Sequence, residues 1–180
     1  MIRVIGGLYK GMKLRRVPDP GVRPMPHKLK ESLFSIIHPE IKDKMCLDGF
    51  SGTGSLGIEA LSRGARTVVF VEEAYSAVKV INVNITKCEA EERARVMHKE
   101  FNRAVIQLAK EGAKFDLIFL DPPYKLLEER NPLKVIKKRD ILNEGGKIFL
   151  RRHFKTKFDA KYYKDRRKIA IGDDVIVFYS

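Results

Sequence analysis

Two short segments place an acidic residue at the end of an apolar run and follow it with glycine or proline. Asp48 ends the run 45–47 and precedes the glycine-rich segment Gly52-Thr-Gly54-Ser-Leu-Gly57. Asp121 ends the run 117–120 and precedes two prolines and a tyrosine. Loops that follow parallel strands gather at one edge of a sheet, where ligands bind. The two segments therefore predict one site built from two loops.

The glycine-rich segment predicts a small-molecule site, because it follows a strand and opens a helix. A helix N-terminus offers free N–H donors, and glycines let a ligand approach the backbone closely. The spacing also matches the dinucleotide fingerprint, with Glu72 about 20 residues further on to hold a ribose. Asp48 argues against a dinucleotide, because its carboxylate would repel a pyrophosphate and attract a cation. S-adenosylmethionine has a sulfonium, an ammonium and no phosphate, and it fits this segment better.

The segment around Asp121 predicts the catalytic residues, which are Asp121, Pro122, Pro123 and Tyr124. The prolines remove two backbone donors and hold a rigid turn, which leaves the Asp121 carboxylate and the Pro122 carbonyl as acceptors. An NH2 group on a planar ring is the matching partner. The nitrogen lone pair of such an amine is delocalised into the ring, which makes the amine a poor nucleophile. Two acceptors that bind its hydrogens would favour a pyramidal nitrogen with a free lone pair. Tyr124 would stack on the base and aim it at a methyl donor.

Two further acids follow the next strands. Glu72 ends a strand and can accept from both ribose hydroxyls. Glu100 follows a weaker third strand, where it could bind the adenine amino group while Phe101 packs on the ring. Alternatively, Glu100 is an acidic residue at the N-terminus of a helix and Phe101 is a residue of the hydrophobic core.

The excess basic charge lies at the two ends of the chain. Residues 1–44 carry ten Lys and Arg against four Asp and Glu, and residues 147–180 carry the same numbers. With a pI of about 9.8, this distribution favours a nucleic acid over a solvated basic surface. An N-terminal hairpin covering the ligand-binding edge would place both clusters around the target base. The predicted RNA-binding residues are Arg3, Lys10, Lys13, Arg15, Arg16, Arg23, Arg151 and Arg152.

Composition excludes several classes of protein. Hydrophobic residues are 44% and charged residues 33% of the chain, which is typical of a folded domain with a charged surface. No apolar run approaches the ~18 residues needed to cross a membrane, and the N-terminus lacks a signal sequence. Two cysteines without a C-x-x-C pair and four scattered histidines predict no metal site. We expect a cytoplasmic, metal-free monomer.

The order of elements predicts an α/β fold. Residues 2–5 and 12–17 predict a hairpin, and residues 28–37 predict a helix that ends before Pro39. Strands and helices then alternate from residue 45, and strands over 160–171 and 174–179 close the chain. Near-continuous apolar strands predict a parallel sheet covered on both faces. We expect a Rossmann-like, mostly parallel seven-stranded domain over 41–180 and an RNA-contacting hairpin-and-helix extension over 1–40.

Several segments resemble one family. They are 3–14, Arg23-Pro24, 31–34, 57–65 and 115–124, and they are similar to the RsmD-type enzymes among the class I S-adenosylmethionine-dependent methyltransferases. The resemblance covers about residues 2–124. It implies methylation of a guanine N2 in bacterial small-subunit (16S) ribosomal RNA, naked or in a 30S assembly particle. It also implies that the cofactor site is lined by Asp48, Ser51, Gly52, Thr53, Gly54 and Glu72, and that residues 121–124 hold the guanine.

The chain departs from the family pattern at several places. Ser51 and Thr53 stand where the family usually has alanine and serine. Met25 stands where the family has threonine, and Glu100 stands where aspartate is commoner. Arg151 and Arg152 follow the fifth strand, which commonly ends in glutamate in the family, and we expect them to contact phosphate.

Other functions also match these residues. A DNA or RNA methyltransferase for adenine N6 or cytosine N4, or one for a protein glutamine amide, would present the same NH2 group. A dehydrogenase would use the glycine-rich segment for NAD. A non-catalytic RNA-binding or ribosome-assembly protein could keep the cofactor pocket without turnover.

Overall fold

A computed structural model describes residues 2–18 and 24–180, so Arg23 lies outside the described residues. The strands β1 (Ile2–Arg3) and β2 (Lys13–Leu14) form the predicted antiparallel hairpin. The helix α1 (His27–Ile41) follows and continues through Pro39, so the prediction that it ends earlier is wrong. Pro39 removes only one N–H donor in the last turn, and the fully buried Ile41 anchors that turn.

The rest of the chain alternates strands and helices before it ends in a pair of strands. The elements are β3 (Met45–Asp48), α2 (Ser55–Ser62), β4 (Thr67–Glu72), α3 (Tyr75–Lys87), β5 (Ala94–His98), α4 (Phe101–Lys110), β6 (Phe115–Leu120), α5 (Tyr124–Glu129), α6 (Pro132–Arg139), β7 (Leu142–His153), β8 (Asp165–Ile171) and β9 (Asp174–Tyr179). None of the described helices is both long and apolar enough to span a membrane.

The large sheet has seven strands in the order β5-β4-β3-β6-β7-β9-β8. Strands β3 to β7 pair in parallel, and β9 pairs antiparallel with both β7 and β8. This confirms the predicted Rossmann-like fold. Two details differ from the prediction. Helix α5 was not expected, and β8 begins at Asp165 rather than at residue 160, because Tyr162 and Tyr163 pack instead against the α6 side of the core.

Both faces of the sheet are covered, as expected. One core cluster joins the sheet to α1, α2 and α3, and it contains the hairpin residues Ile2, Val4 and Leu14. The other joins the sheet to α4 and α6. The hairpin therefore packs into the same core as Phe119 in the middle of the sheet.

A buried carboxylate fixes the hairpin to α2. Glu59 is fully buried and accepts hydrogen bonds of 2.8 Å from the backbone N–H groups of Ile5 and Gly6. Its charge is paired with Arg63 at 2.8 Å and with the buried Lys30 at 3.3 Å. Gly7 has φ 77°, and a Cβ there would lie 1.9 Å from the Ser62 carbonyl oxygen. Glycine is therefore required for this close approach.

The tip of the hairpin lies far from the ligand-binding edge of the sheet. The Tyr9 hydroxyl accepts a hydrogen bond of 2.6 Å from Arg93, which immediately precedes the amino end of β5. The Leu8 N–H donates to Ser62 at the end of α2. The expectation that the hairpin covers the ligand-binding edge is therefore wrong. The chain reaches that edge only after the hairpin, where Pro24 and Pro26 line a cavity.

Candidate active site

A cavity of about 910 Å³ opens at the carboxyl ends of the parallel strands. It is formed by the loops after β3, β4, β5 and β6, by the end of β7 and by the turn between β8 and β9. Ligand pockets in proteins measure ~300–1,000 Å³, so this cavity is at the large end of the range. It brings Gly52, Glu72 and Asp121 to one site, as the positions of the two loops predict.

Asp48 lies beneath the glycine-rich loop with a carboxylate that is only partly satisfied. Its Oδ2 atom accepts a hydrogen bond of 2.9 Å from the Gly57 N–H. Its Oδ1 atom is buried and has no hydrogen-bond partner within the described part of the chain. Burial raises the pKa of Asp48 to about 7, although the Gly57 hydrogen bond acts in the opposite direction. Asp48 is itself buried and is not among the residues that line the cavity, so it lies behind the glycine-rich loop with Oδ1 lacking a hydrogen-bond partner among the described residues.

The other predicted residues of this loop hold its shape. Gly52 lines the cavity, and Gly54, with φ 77°, precedes the first turn of α2. The buried Ser51 donates through its hydroxyl to the carbonyl of Asp48 at 2.8 Å. The carbonyl of the buried Thr53 accepts from Asn84 on α3 at 2.9 Å.

Glu72 joins the loops after β3 and β4. One of its oxygens accepts from the Gly52 N–H at 2.8 Å, and the other accepts from the Ala74 N–H at 2.9 Å. The side chain lines the cavity. Since a carboxylate oxygen can accept more than one hydrogen bond, Glu72 keeps the capacity to bind the hydroxyls of a ribose.

Glu100 and Phe101 also line the cavity. Glu100 is the N-cap of α4, where it accepts from the Arg103 N–H at 3.1 Å, and it pairs with Arg130 at 3.1 Å. The Phe101 ring is buried and stacks on Phe50 with centroids 4.7 Å apart. The helix-terminal interpretation is therefore confirmed, and contact with an adenine ring stays a prediction.

The Asp121 carboxylate is held by an arginine. Leu120 and Leu150 are register partners on β6 and β7, so the residues that follow them lie side by side. Arg151 Nη1 lies 3.1 Å from both oxygens of Asp121. The same guanidinium contacts Asp174 on β9 through Nε at 3.1 Å and through Nη2 at 3.3 Å.

This placement corrects the expectation for Arg151. Its side chain is only 7% exposed, because it lies between two carboxylates that are themselves mostly buried. Burial raises the pKa of Asp121, whereas the Arg151 charge and hydrogen bonds act to lower it. Arg151 therefore faces the Asp121 carboxylate instead of an RNA phosphate.

Arg152 also has a different role from the predicted one. Its Nη1 atom donates to the carbonyls of His153, Phe154 and Thr156 at 3.2 to 3.3 Å. These bonds hold the turn that follows β7. The structure thus assigns this guanidinium nitrogen to the loop backbone rather than to phosphate.

The remaining predicted RNA-binding residues lie on the exposed surface of the N-terminal segment. Arg3, Lys13, Arg15 and Arg16 are exposed, and Lys10 is exposed at the hairpin tip, away from the cavity. The backbone of Arg15 is nearer to the site, because its N–H donates at 2.7 Å to Asn84, which also contacts the glycine-rich loop.

Sequence reasoning missed several residues that line the cavity, among them Pro24, Pro26, His153 and Asp174. No role in the site was predicted for His153 from the sequence. Its position two residues after Arg151 on one strand, and so on the same face of the sheet, was the available signal. Pro122 and Pro123 line the cavity as predicted. The side chain of Tyr124 lies outside the described part of the structure, so its stacking role stays a prediction.

Binding of S-adenosylmethionine is expected to depend on the charge of Asp48. Because the pKa of Asp48 is about 7, the carboxyl group loses its proton as the pH rises from about 6 to about 8. Affinity for the cationic cofactor should therefore rise over this range, by up to about tenfold per pH unit below the pKa. Calorimetric titration at several pH values measures this effect. Asp48→Asn is the control and should give a weaker and flatter profile; an equally steep profile in the variant would contradict the assignment.

Comparison with known proteins gives a consistent result. The family model described as "Conserved hypothetical protein 95" matches residues 2–180. YlbH of Bacillus subtilis is 39% identical over 147 residues, which are 82% of this chain and 80% of that protein. Ribosomal RNA small subunit methyltransferase D of Haemophilus influenzae is 32% identical over 151 residues, which are 83% of this chain and 77% of that one. The solved structure of yhhF from Escherichia coli has a TM-score of 0.84 at 29% identity, covering 99% of this chain and 96% of that chain.

These matches cover the hairpin, the glycine-rich loop and the Asp121 segment together, which are the segments that carried the resemblance in the sequence. Two features of the site suit S-adenosylmethionine. The buried Oδ1 atom of Asp48 has no hydrogen-bond partner among the described residues, and Glu72 can accept hydrogen bonds from hydroxyl groups. The chain belongs to the family described as "Conserved hypothetical protein 95", the RsmD family of class I methyltransferases, and its methyl donor is S-adenosylmethionine.

Proposed function

We propose that this protein transfers a methyl group from S-adenosylmethionine to the exocyclic N2 amine of a guanine in small-subunit ribosomal RNA. The observation that carries the proposal is the shared cavity. Asp121 and Pro122 line the same space as Gly52 and Glu72, so an amine acceptor site adjoins the cofactor site. The printed name of the Haemophilus influenzae relative, Ribosomal RNA small subunit methyltransferase D, supports the RNA substrate.

The roles of the residues follow from their chemistry. Asp48 and Glu72 would hold the cofactor, which supplies a methyl group already activated on a sulfonium. Asp121 and the Pro122 carbonyl would accept the hydrogens of the guanine amine and direct its nitrogen lone pair toward that methyl group. The new N–C bond forms as the S–C bond breaks, and a proton then leaves the cationic nitrogen. Positioning two reactants in this way can supply most of the acceleration.

The choice of guanine N2 is tested by the product. The purified protein is incubated with cofactor carrying a labelled methyl group and with small-subunit ribosomal RNA, either naked or in 30S particles. Digestion to nucleosides should yield labelled N2-methylguanosine. Labelled N6-methyladenosine or N4-methylcytidine would contradict the guanine assignment, and absence of label in both substrates would contradict the proposed function. Asp121→Ala serves as the inactive control.

The basic N-terminal segment should bind RNA by charge. Replacing Lys13, Arg15 and Arg16 with alanine should weaken RNA binding irrespective of sequence, because the three exposed cations would no longer neutralise phosphates. The slope of log affinity against log salt should fall by ~0.7 for each lost contact with single-stranded RNA. Binding of S-adenosylmethionine should not change.

Lys110→Ala is the control for this prediction, since Lys110 is also an exposed lysine but lies at the end of α4, outside the predicted RNA-binding residues. It should leave the salt slope unchanged. If the triple variant also keeps the slope and full activity, the basic N-terminal segment is only a solvated surface.

A further inference from the structure

An exposed aromatic pair borders the cavity at the end of β7. His153, the last residue of β7, lines the cavity. The next residue, Phe154, has half of its surface exposed, which is unusual for a phenylalanine in a folded domain. The two rings stack with centroids 4.9 Å apart and an interplanar angle of 27°. The stack thus runs from His153, which lines the cavity, to the Phe154 ring on the outside of the protein.

The backbone under this pair is held on both sides. The Phe154 N–H donates to the Asp173 carbonyl at 2.9 Å, which extends the β7–β9 ladder by one residue. The Phe154 carbonyl accepts from Arg152 at 3.3 Å, as do the carbonyls of two neighbouring residues. The position of the ring is therefore set by the sheet and by the Arg152 contacts. A ring that is already positioned loses little conformational entropy when a ligand packs on it.

The charge around the pair suits a polyanion. Residues 153–164 contain four lysines and one aspartate. The Lys155 ammonium lies 5.5 Å from the centroid of the Phe154 ring. Aromatic rings set among lysines are the usual means by which proteins bind single-stranded nucleic acid, since bases stack on the rings while the cations contact the phosphates.

We propose that His153 and Phe154 form a stacking surface for an unpaired RNA base next to the target guanine. This inference rests on the proposed function. A guanine must leave its stack to reach Asp121 inside the cavity, and its strand must then pass over the rim. When the guanine leaves the stack, the neighbouring base loses its stacking partner. That base can then stack on the His153–Phe154 surface. The protein would thereby offset part of the cost of extracting the guanine.

The test separates stacking from charge. RNA binding is measured with S-adenosylhomocysteine in the cavity, using a small-subunit ribosomal RNA transcript and 30S particles. Phe154→Ala should weaken binding about fivefold or more, as expected for one lost base–aromatic contact. The salt slope should stay unchanged, because no phosphate contact is removed. Phe154→Tyr should bind as the unchanged protein does, whereas Phe154→Leu should resemble Phe154→Ala.

Leu8→Ala is the control for the loss of an exposed apolar side chain, since Leu8 is 79% exposed on the hairpin and far from the cavity. It should bind RNA normally. Unchanged affinity in Phe154→Ala, or full affinity in Phe154→Leu, would overturn the stacking surface.

A parallel methylation assay keeps this inference distinct from the proposed function. Methyl transfer by the unchanged protein combined with normal RNA binding by Phe154→Ala would overturn the stacking surface alone. Absence of methyl transfer by the unchanged protein would overturn the proposed function, and a selective binding loss in Phe154→Ala would still support the stacking surface.

Discussion

Asp121→Ala is expected to lower the rate of methyl transfer at least about 100-fold while the affinity for S-adenosylmethionine stays within about twofold. In the proposed roles Asp121 accepts from the guanine amine, so the variant should remove that acceptor and leave Glu72, which lines the same cavity, and Asp48 in place. Removing one preorganised hydrogen-bonding group from an active site costs about 10²–10³ in rate. Arg151 stays paired with Asp174 in the variant, which limits the structural damage.

The measurement combines single-turnover methyl transfer with calorimetric titration of the cofactor. Asp121→Asn is the matched variant, because it keeps the size of the side chain and one carbonyl acceptor but loses the charge. It should be less impaired than Asp121→Ala. If cofactor affinity falls in step with the rate in either variant, Asp121 belongs to the cofactor site and the assigned roles are mistaken.

Local sequence was sufficient for most of the elements and for the position of the site. Asp48 and Asp121 each end a short apolar run, and the structure brings both to the same edge of the sheet because parallel strands share one direction. Glycine was also informative at Gly57, where a Cβ would lie 2.3 Å from the Phe70 ring. Glycine is required at this position because α2 packs closely on β4, and such close packing of helix on strand is a general feature of this loop type.

Long-range pairing could not be predicted in the same way. The sequence shows two arginines after a strand, and a basic end of the chain suggests phosphate contacts for both. Only the register of β6, β7 and β9 shows that Arg151 points between Asp121 and Asp174. Similarly, the position of the hairpin depends on the buried Glu59, whose partners Ile5 and Gly6 are more than fifty residues away in the chain.

The contact between Arg151 and Asp121 leads to the second large effect. Arg151→Met should destabilise the protein by about 3–5 kcal/mol near neutral pH, because two mostly buried carboxylates lose their shared cation. Methionine fills a similar space, so the loss reports charge rather than a cavity. Activity should fall as well, since Asp121 loses the contact that orients it. Denaturant unfolding and methyl transfer measure the two effects.

The pH dependence distinguishes this explanation from a packing defect. Burial already raises the pKa of Asp121, and removing Arg151 takes away the main contact that lowers it. A carboxyl group whose pKa is higher in the folded than in the unfolded state binds its proton more tightly in the folded protein. The free energy of unfolding therefore falls as the pH rises between these two pKa values. The destabilisation caused by Arg151→Met should therefore be smaller at about pH 5 than at about pH 8. Adding Asp174→Asn should recover part of the loss at the higher pH, because one of the two carboxylates that contact the Arg151 guanidinium is removed. A loss of stability that is equal at both pH values and unaffected by Asp174→Asn would show that Arg151 acts through packing, and the electrostatic role assigned to it would be wrong.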